Sequence, residues 1–82
     1  MSLAVRCAVV GKGPGPTESI VEIQTLSGTE EVVVDGGFLH GTELTIRRVV
    51  ERRMHKALVE LPQESTTGRW RIWVDESALA AG

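Results

Sequence analysis

Residues 68–79, Gly-Arg-Trp-Arg-Ile-Trp-Val-Asp-Glu-Ser-Ala-Leu, contain both tryptophans of the chain and alternate between two kinds of side chain. A strand turns successive side chains to opposite faces, so Trp70, Ile72 and Val74 point one way and Arg69, Arg71 and Trp73 the other. The pattern predicts a half-buried strand with Trp70 as the largest anchor of a small core and Trp73 on a basic, partly wet face.

A chain of 82 residues makes one small domain, 1–82, near the size at which a single core supplies only a few kcal/mol of net stability. Cys7 is the only cysteine, so no internal disulfide can staple the fold. Its apolar neighbours at strand spacing, Val5 and Val9, predict a buried thiol without the basic surroundings that activate one. No apolar run approaches the roughly 20 residues of a membrane span. The first ten residues lack the basic start and long apolar stretch of a signal peptide, and the chain reads as cytoplasmic. Met1-Ser2-Leu3 carries no functional weight.

Four further segments have strand character. Residues 3–10 alternate, with Leu3, Val5, Cys7 and Val9 inward and Arg6 outward, and run into a Gly11-Lys12-Gly13-Pro14-Gly15-Pro16 loop. Ser19 to Leu26 and Glu30 to Asp35 flank Ser27-Gly28-Thr29, the mark of a hairpin with Val21, Ile23, Val32 and Val34 in the core. Asp35-Gly36-Gly37 ends it. The segment 43–61 admits two readings. Ile46, Val49, Val50, Met54, Ala57, Leu58 and Leu61 share one helical face, which gives an α+β alternative with one helix at about 43–61. Its β-branched density and the partner that Lys56–Leu61 finds in the tryptophan strand favour a hairpin turning at Arg53-Met54-His55, with a bulge near Arg47-Arg48. We read it as a hairpin. The fold class is therefore mainly β: a small antiparallel meander or partly open barrel of five to six strands, closed by a short helical turn at Glu76–Leu79, with a frayed tail at Ala80–Gly82. The order is topologically similar to small Src-homology-like barrels, which implies architecture and no activity. No repeat is recognisable.

Most candidate chemistry fails on physical grounds. The glycine-rich loop has two prolines without N–H groups and leads into a strand, whereas a phosphate cradle needs free N–H groups and a helix N-terminus. His40 and His55 are far from each other and from Cys7, so no metal site is expected. Asp35 and His40 flank two glycines, but a turn acceptor and a solvated histidine account for them. Ser65, Thr66 and Thr67 have no base tied to them by a recognisable motif. We expect no cofactor and no enzymatic activity.

Charge is uneven: residues 1–46 carry two basic against six acidic side chains, residues 47–82 seven against five. The basic members meet an aromatic one in a candidate contact surface of Arg69, Arg71 and Trp73, extended by Arg47, Arg48, Arg52 and Arg53. Arginine forks grip carboxylate or phosphate, and an indole offers a stacking plane. The expected function is a non-enzymatic interaction module or homo-oligomer subunit, with a protein partner or self-association ahead of nucleic acid and no membrane. The alternative is a nucleic-acid-binding accessory domain using the Arg/Trp face.

Overall fold

A computed structural model describes residues 3–81; the readings of Met1-Ser2 and Gly82 lie outside the described residues. Its strands are β1 (Leu3–Arg6), β2 (Ala8–Lys12), β3 (Glu18–Thr25), β4 (Gly28–Asp35), β5 (Leu39–His40), β6 (Glu43–Thr45), β7 (Arg48–Arg53), β8 (Lys56–Glu60), β9 (Arg71–Asp75) and β10 (Leu79–Ala81). They form three antiparallel sheets, ordered β2-β3-β4, β7-β8-β9 and β10-β1-β6-β5. Val5, Val21, Ile23, Val32, Val34, Leu44, Ile46, Ala57, Val59, Leu61, Ile72 and Val74 make one shared core. The fold is mainly β, and the helix alternative at 43–61 is replaced by β6, β7 and β8.

Local chemistry explains the elements. The hairpin of β3 and β4 runs in register from Glu18↔Asp35 to Thr25↔Gly28, and Gly28, at φ 122°, takes a turn conformation open to glycine alone. The second hairpin turns without glycine, because Met54 itself adopts the left-handed region at φ 52°. Its bulge falls at Val50, between Val49 and Glu51, not at Arg47-Arg48. The first apolar run is not one strand. Cys7 breaks it, its N–H donating to the Thr42 carbonyl at 2.8 Å, so β1 joins one sheet and β2 another, and Val9 comes out exposed. Cys7 itself is half-buried against the core, and burial pushes its thiol pKa up. The tail is not frayed through Ala81: β10 pairs with β1, Leu3↔Ala81 to Val5↔Leu79.

The largest correction concerns Trp70. The strand β9 starts only at Arg71, and Trp70 lies in the preceding bend, 43% exposed. Leu61 is fully buried where β8 ends, and its N–H donates to the Trp70 carbonyl at 2.7 Å. The tryptophan therefore contributes its backbone to the fold, and its partly covered indole is not a member of the core cluster.

The chain also contains a repeat that the sequence reading did not recognise. Both β2 and β7 bulge one residue against the following strand, between Val9 and Gly11 and between Val49 and Glu51. Gly28 opens β4 and Gly68 lies in the loop before β9, both with positive φ. Each third strand ends in an aspartate that caps a 3₁₀ turn: Asp35 accepts from Gly37 N–H before Gly36–Phe38, and Asp75 accepts from Ser77 N–H before Glu76–Ala78. The core repeats likewise, with Val21 and Val59, Ile23 and Leu61, Val32 and Ile72, and Val34 and Val74 in matching places. The halves exchange their ends. The β10 strand of the second half lies on β1, and β5 of the first lies on β6. Leu26 N–H at one hairpin tip donates to the Trp73 carbonyl, and Thr66 N–H donates to the Glu31 carbonyl in return. The antiparallel β1–β6 pair, Ala4↔Thr45 to Arg6↔Glu43, joins the two halves, so the pattern is that of a pseudo-two-fold.

The two capping aspartates predict acid sensitivity. Asp35 is held below the usual carboxylate range by Gly37 N–H and the Thr17 hydroxyl, and Asp75 by Ser77. A depressed folded pKa contributes stability that is present above the unfolded pKa, about 3.9 for aspartate, and lost as pH falls through the folded one. The thermal midpoint should be flat above about pH 5 and fall below about pH 4. In Asp35→Asn with Asp75→Asn that fall should be shallower. An identical acid limb in the double variant would show that the caps do not drive it.

Candidate functional site

The sheet β7-β8-β9 turns Ala57, Val59, Ile72 and Val74 into the core, so alternation sends Lys56, Leu58, Glu60, Arg71, Trp73 and Asp75 outward. Cross-strand register sets Leu58 beside Trp73, Glu60 beside Arg71 and Lys56 beside Asp75. Both apolar members are half-buried. This is the face predicted for Trp73 and Arg71.

Glu60 organises the basic side of that face. Its carboxylate accepts a hydrogen bond from Arg71 Nε at 3.2 Å and lies 3.6 Å from Arg48 Nε and 3.8 Å from Arg47 Nε. Burial of the carboxyl, whose side chain is only 17% exposed, works to raise its pKa. The Arg71 hydrogen bond and the charges of Arg48, Arg71 and Arg47 outweigh that, and the group stays below the usual carboxylate range. Three guanidiniums against one carboxylate leave local positive charge, with the arginine side chains 48–61% exposed.

The other predicted basic residues do not join the Glu60 cluster. Arg52 pairs with Glu76 at 3.5 Å and Arg53 with Glu51. Arg69 lies on the loop before β9, its N–H donating to Ser65 Oγ at 3.0 Å and its charge acting on Glu30. The structure thus gathers Arg47, Arg48 and Arg71 on the Trp73 face, keeps Arg53 near Trp73 on its other side, and leaves Arg52 and Arg69 in separate pairings.

On the far side of Trp73 an open cleft of about 700 Å³ lies between the two hairpin tips, lined by Leu26, Ser27, Arg53, Met54, Lys56 and Trp73. Leu26 is held there by its N–H bond to the Trp73 carbonyl at 3.0 Å, and Met54 projects 90% exposed from the left-handed turn. The sequence reading missed Leu26, Met54, Lys56, Leu58 and Glu60. Leu58 and Glu60 follow from strand parity once β8 is paired with β9. Leu26 has no sequence signal, since its position depends on the contact between halves.

Other polar groups serve the fold. The glycine-rich loop lines a hollow of about 560 Å³, but Glu18 occupies its amides: Gly15 N–H donates to Glu18 Oε1 at 2.8 Å and Gly13 N–H to the Glu18 carbonyl at 2.9 Å. Ser65 and Thr67 both donate to the Glu30 carboxylate, which their hydroxyls hold below the usual range and so make a poorer base. Asp35 is committed to its cap, while His40 stands exposed opposite Glu43. Among the described residues no three His, Cys, Asp or Glu side chains group as metal ligands, and no helix is long and apolar enough to cross a membrane.

Comparisons with protein-family models, curated proteins and solved structures find no match for this chain.

Proposed function

We infer that this protein is a non-enzymatic interaction module that contacts another protein through the outer face of β7-β8-β9, centred on Trp73. The observation carrying this reading is the Leu58–Trp73 pair, set between an arginine cluster and an apolar cleft. A half-covered indole flanked by arginines has the composition of an interface anchor, where tryptophan and arginine are enriched. A structural role asks only that Ile72 and Val74 face inward; nothing in the core uses Trp73. Lys56 and the excess positive charge around Glu60 suit a partner whose contact surface is acidic at its rim. Nucleic acid is the weaker reading. Arg47, Arg48, Arg52, Arg53 and Arg71 each already face a carboxylate, which lowers the charge available to a phosphate chain.

The test is site-specific photocrosslinking in cells that produce the full chain. A benzophenone amino acid replaces Trp73 or, as an exposed control outside the β7-β8-β9 sheet, Phe38. The expected result is a discrete adduct at position 73 whose attached peptide mass spectrometry identifies as one protein, this one or another, with none at position 38. Adducts to nucleic acid, or no adduct at position 73, would overturn the reading.

A further inference from the structure

The pseudo-two-fold gives the Trp73 face a counterpart, and the two differ in chemistry. On β2-β3-β4, alternation sends Val21, Ile23, Val32 and Val34 into the core and Glu18, Ile20, Glu22, Glu31, Val33 and Asp35 outward. Register sets Ile20 opposite Val33, just as Leu58 stands opposite Trp73. Around that apolar pair, however, Glu22 faces Glu31 and Glu18 faces Asp35, whereas the second half has Glu60 facing Arg71 and Lys56 facing Asp75. Like charges directly opposite on a sheet destabilise it. Among the described residues no basic group lies within 4 Å of any of these four acids. Glu18 is engaged by Gly15 N–H, and Asp35 by Gly37 N–H and the Thr17 hydroxyl. Among the described residues the carboxylates of Glu22 and Glu31 have no hydrogen-bond partner.

The molecule therefore carries two outward sheet faces of similar build: one has an apolar pair rimmed by four carboxylates without a basic partner among the described residues, the other an apolar pair rimmed by three arginines that share one carboxylate. We propose that the partner of the Trp73 face is a second copy of this chain, which presents its β3–β4 face, so that Ile20 and Val33 pack on Leu58 and Trp73. Glu22 and Glu31 then meet Arg47, Arg48 and Arg71. The proposal rests on reading the Trp73 face as a contact surface. Because the two faces belong to different parts of the chain, the contact is heterologous and runs head to tail. Docking relieves the Glu22/Glu31 repulsion and supplies the surplus guanidiniums with carboxylates. The faces are small, so association should be weak, with a dissociation constant on the order of micromolar, and it should weaken with salt.

The test is sedimentation velocity of the full chain from about 1 to 500 μM, a span that brackets micromolar association. Two variants each block one face. Glu22→Lys with Glu31→Lys blocks the acidic face and replaces one like-charge pair by another, so folding is little changed. Trp73→Ala blocks the other face. Wild type should grow with concentration beyond a dimer, while each variant alone should associate at least about tenfold more weakly, as expected when an interface anchor or its complementary rim is removed. Mixed in equal amounts, the variants should form a one-to-one complex that stops there, because one good pair of faces remains. If the double-lysine variant associates like wild type, the acidic face is not the partner, and the Trp73 reading survives. If wild type stays monomeric throughout, the second copy is ruled out, and the crosslinking result judges the contact surface separately. If Trp73→Ala associates like wild type, both fail.

Discussion

Leu61→Ala is expected to lower the unfolding free energy by about 2–5 kcal/mol, and Trp70→Ala to lower it by less than about 1 kcal/mol. The first is a large part of the roughly 4–12 kcal/mol available to a domain of this size. Leu61 has no exposed surface and lies in the cluster shared by the halves, matching Ile23 of the first half. Cutting it to alanine removes buried methyl groups and leaves a cavity whose walls are strands already fixed by their ladders. Trp70 is larger but keeps 43% of its surface in water, and the bond it makes to Leu61 uses the carbonyl, which any residue supplies. Urea unfolding at one temperature measures both, with an unchanged slope showing that the denatured state is comparable. A Trp70→Ala cost equal to that of Leu61→Ala would put the indole in the core and overturn the assignment.

The contrast shows where the sequence is readable. Parity is robust: the alternation of 71–75 places Ile72 and Val74 inside and Trp73 outside, as the structure has it. Strand length is not, because it depends on where the neighbouring loop must go. The 62–70 segment crosses to the edge of β4, with Ser65 bridging Val32, and that detour ends β9 short of Trp70. The hairpin of β3 and β4 was legible because alternation and a Ser-Gly turn agree. The β7–β8 hairpin competed with a helical pattern; β8 joined β9 through Leu58↔Trp73, and Met54 accepted a left-handed turn.

The repeat was hidden for a related reason. Equivalent residues recur only where the backbone or the core dictates a type: Val9 and Val49, Gly28 and Gly68, and Asp35 and Asp75 all lie 40 residues apart, whereas Val21 and Val59 of β3 and β8 lie 38 apart. A few identities at one spacing, scattered among unlike residues, are a weak signal, whereas paired bulges and matching caps make the repeat plain. The same limit applies to the site. Arginine and tryptophan were visible as types, but that Glu60 would gather Arg47, Arg48 and Arg71 depended on the register of β8 with both neighbours.

The second large effect is expected at Ser65, a residue that the sequence presents as one hydroxyl among three. Ser65 is 5% exposed, and its Oγ donates to Glu30 Oε1 at 2.8 Å while accepting from Arg69 N–H at 3.0 Å. Ser65→Ala removes a bond to a charged acceptor and leaves a part-buried donor unpaired, for a cost of about 1.5–3 kcal/mol. Thr66→Ala keeps the backbone bond to the Glu31 carbonyl and should change stability by less than about 0.5 kcal/mol. Glu30→Gln retains an acceptor without the charge and should fall between them. Because the loop shields one edge of β4, its release leaves unpaired backbone groups on a long strand, a template for pairing with other chains. Ser65→Ala should therefore also raise light scattering on mild heating, before the main unfolding transition. A Ser65→Ala protein as stable as Thr66→Ala would mean that the Ser65 hydroxyl contributes nothing to the clasp and that the backbone bonds and the Thr67–Glu30 bond hold the loop without it.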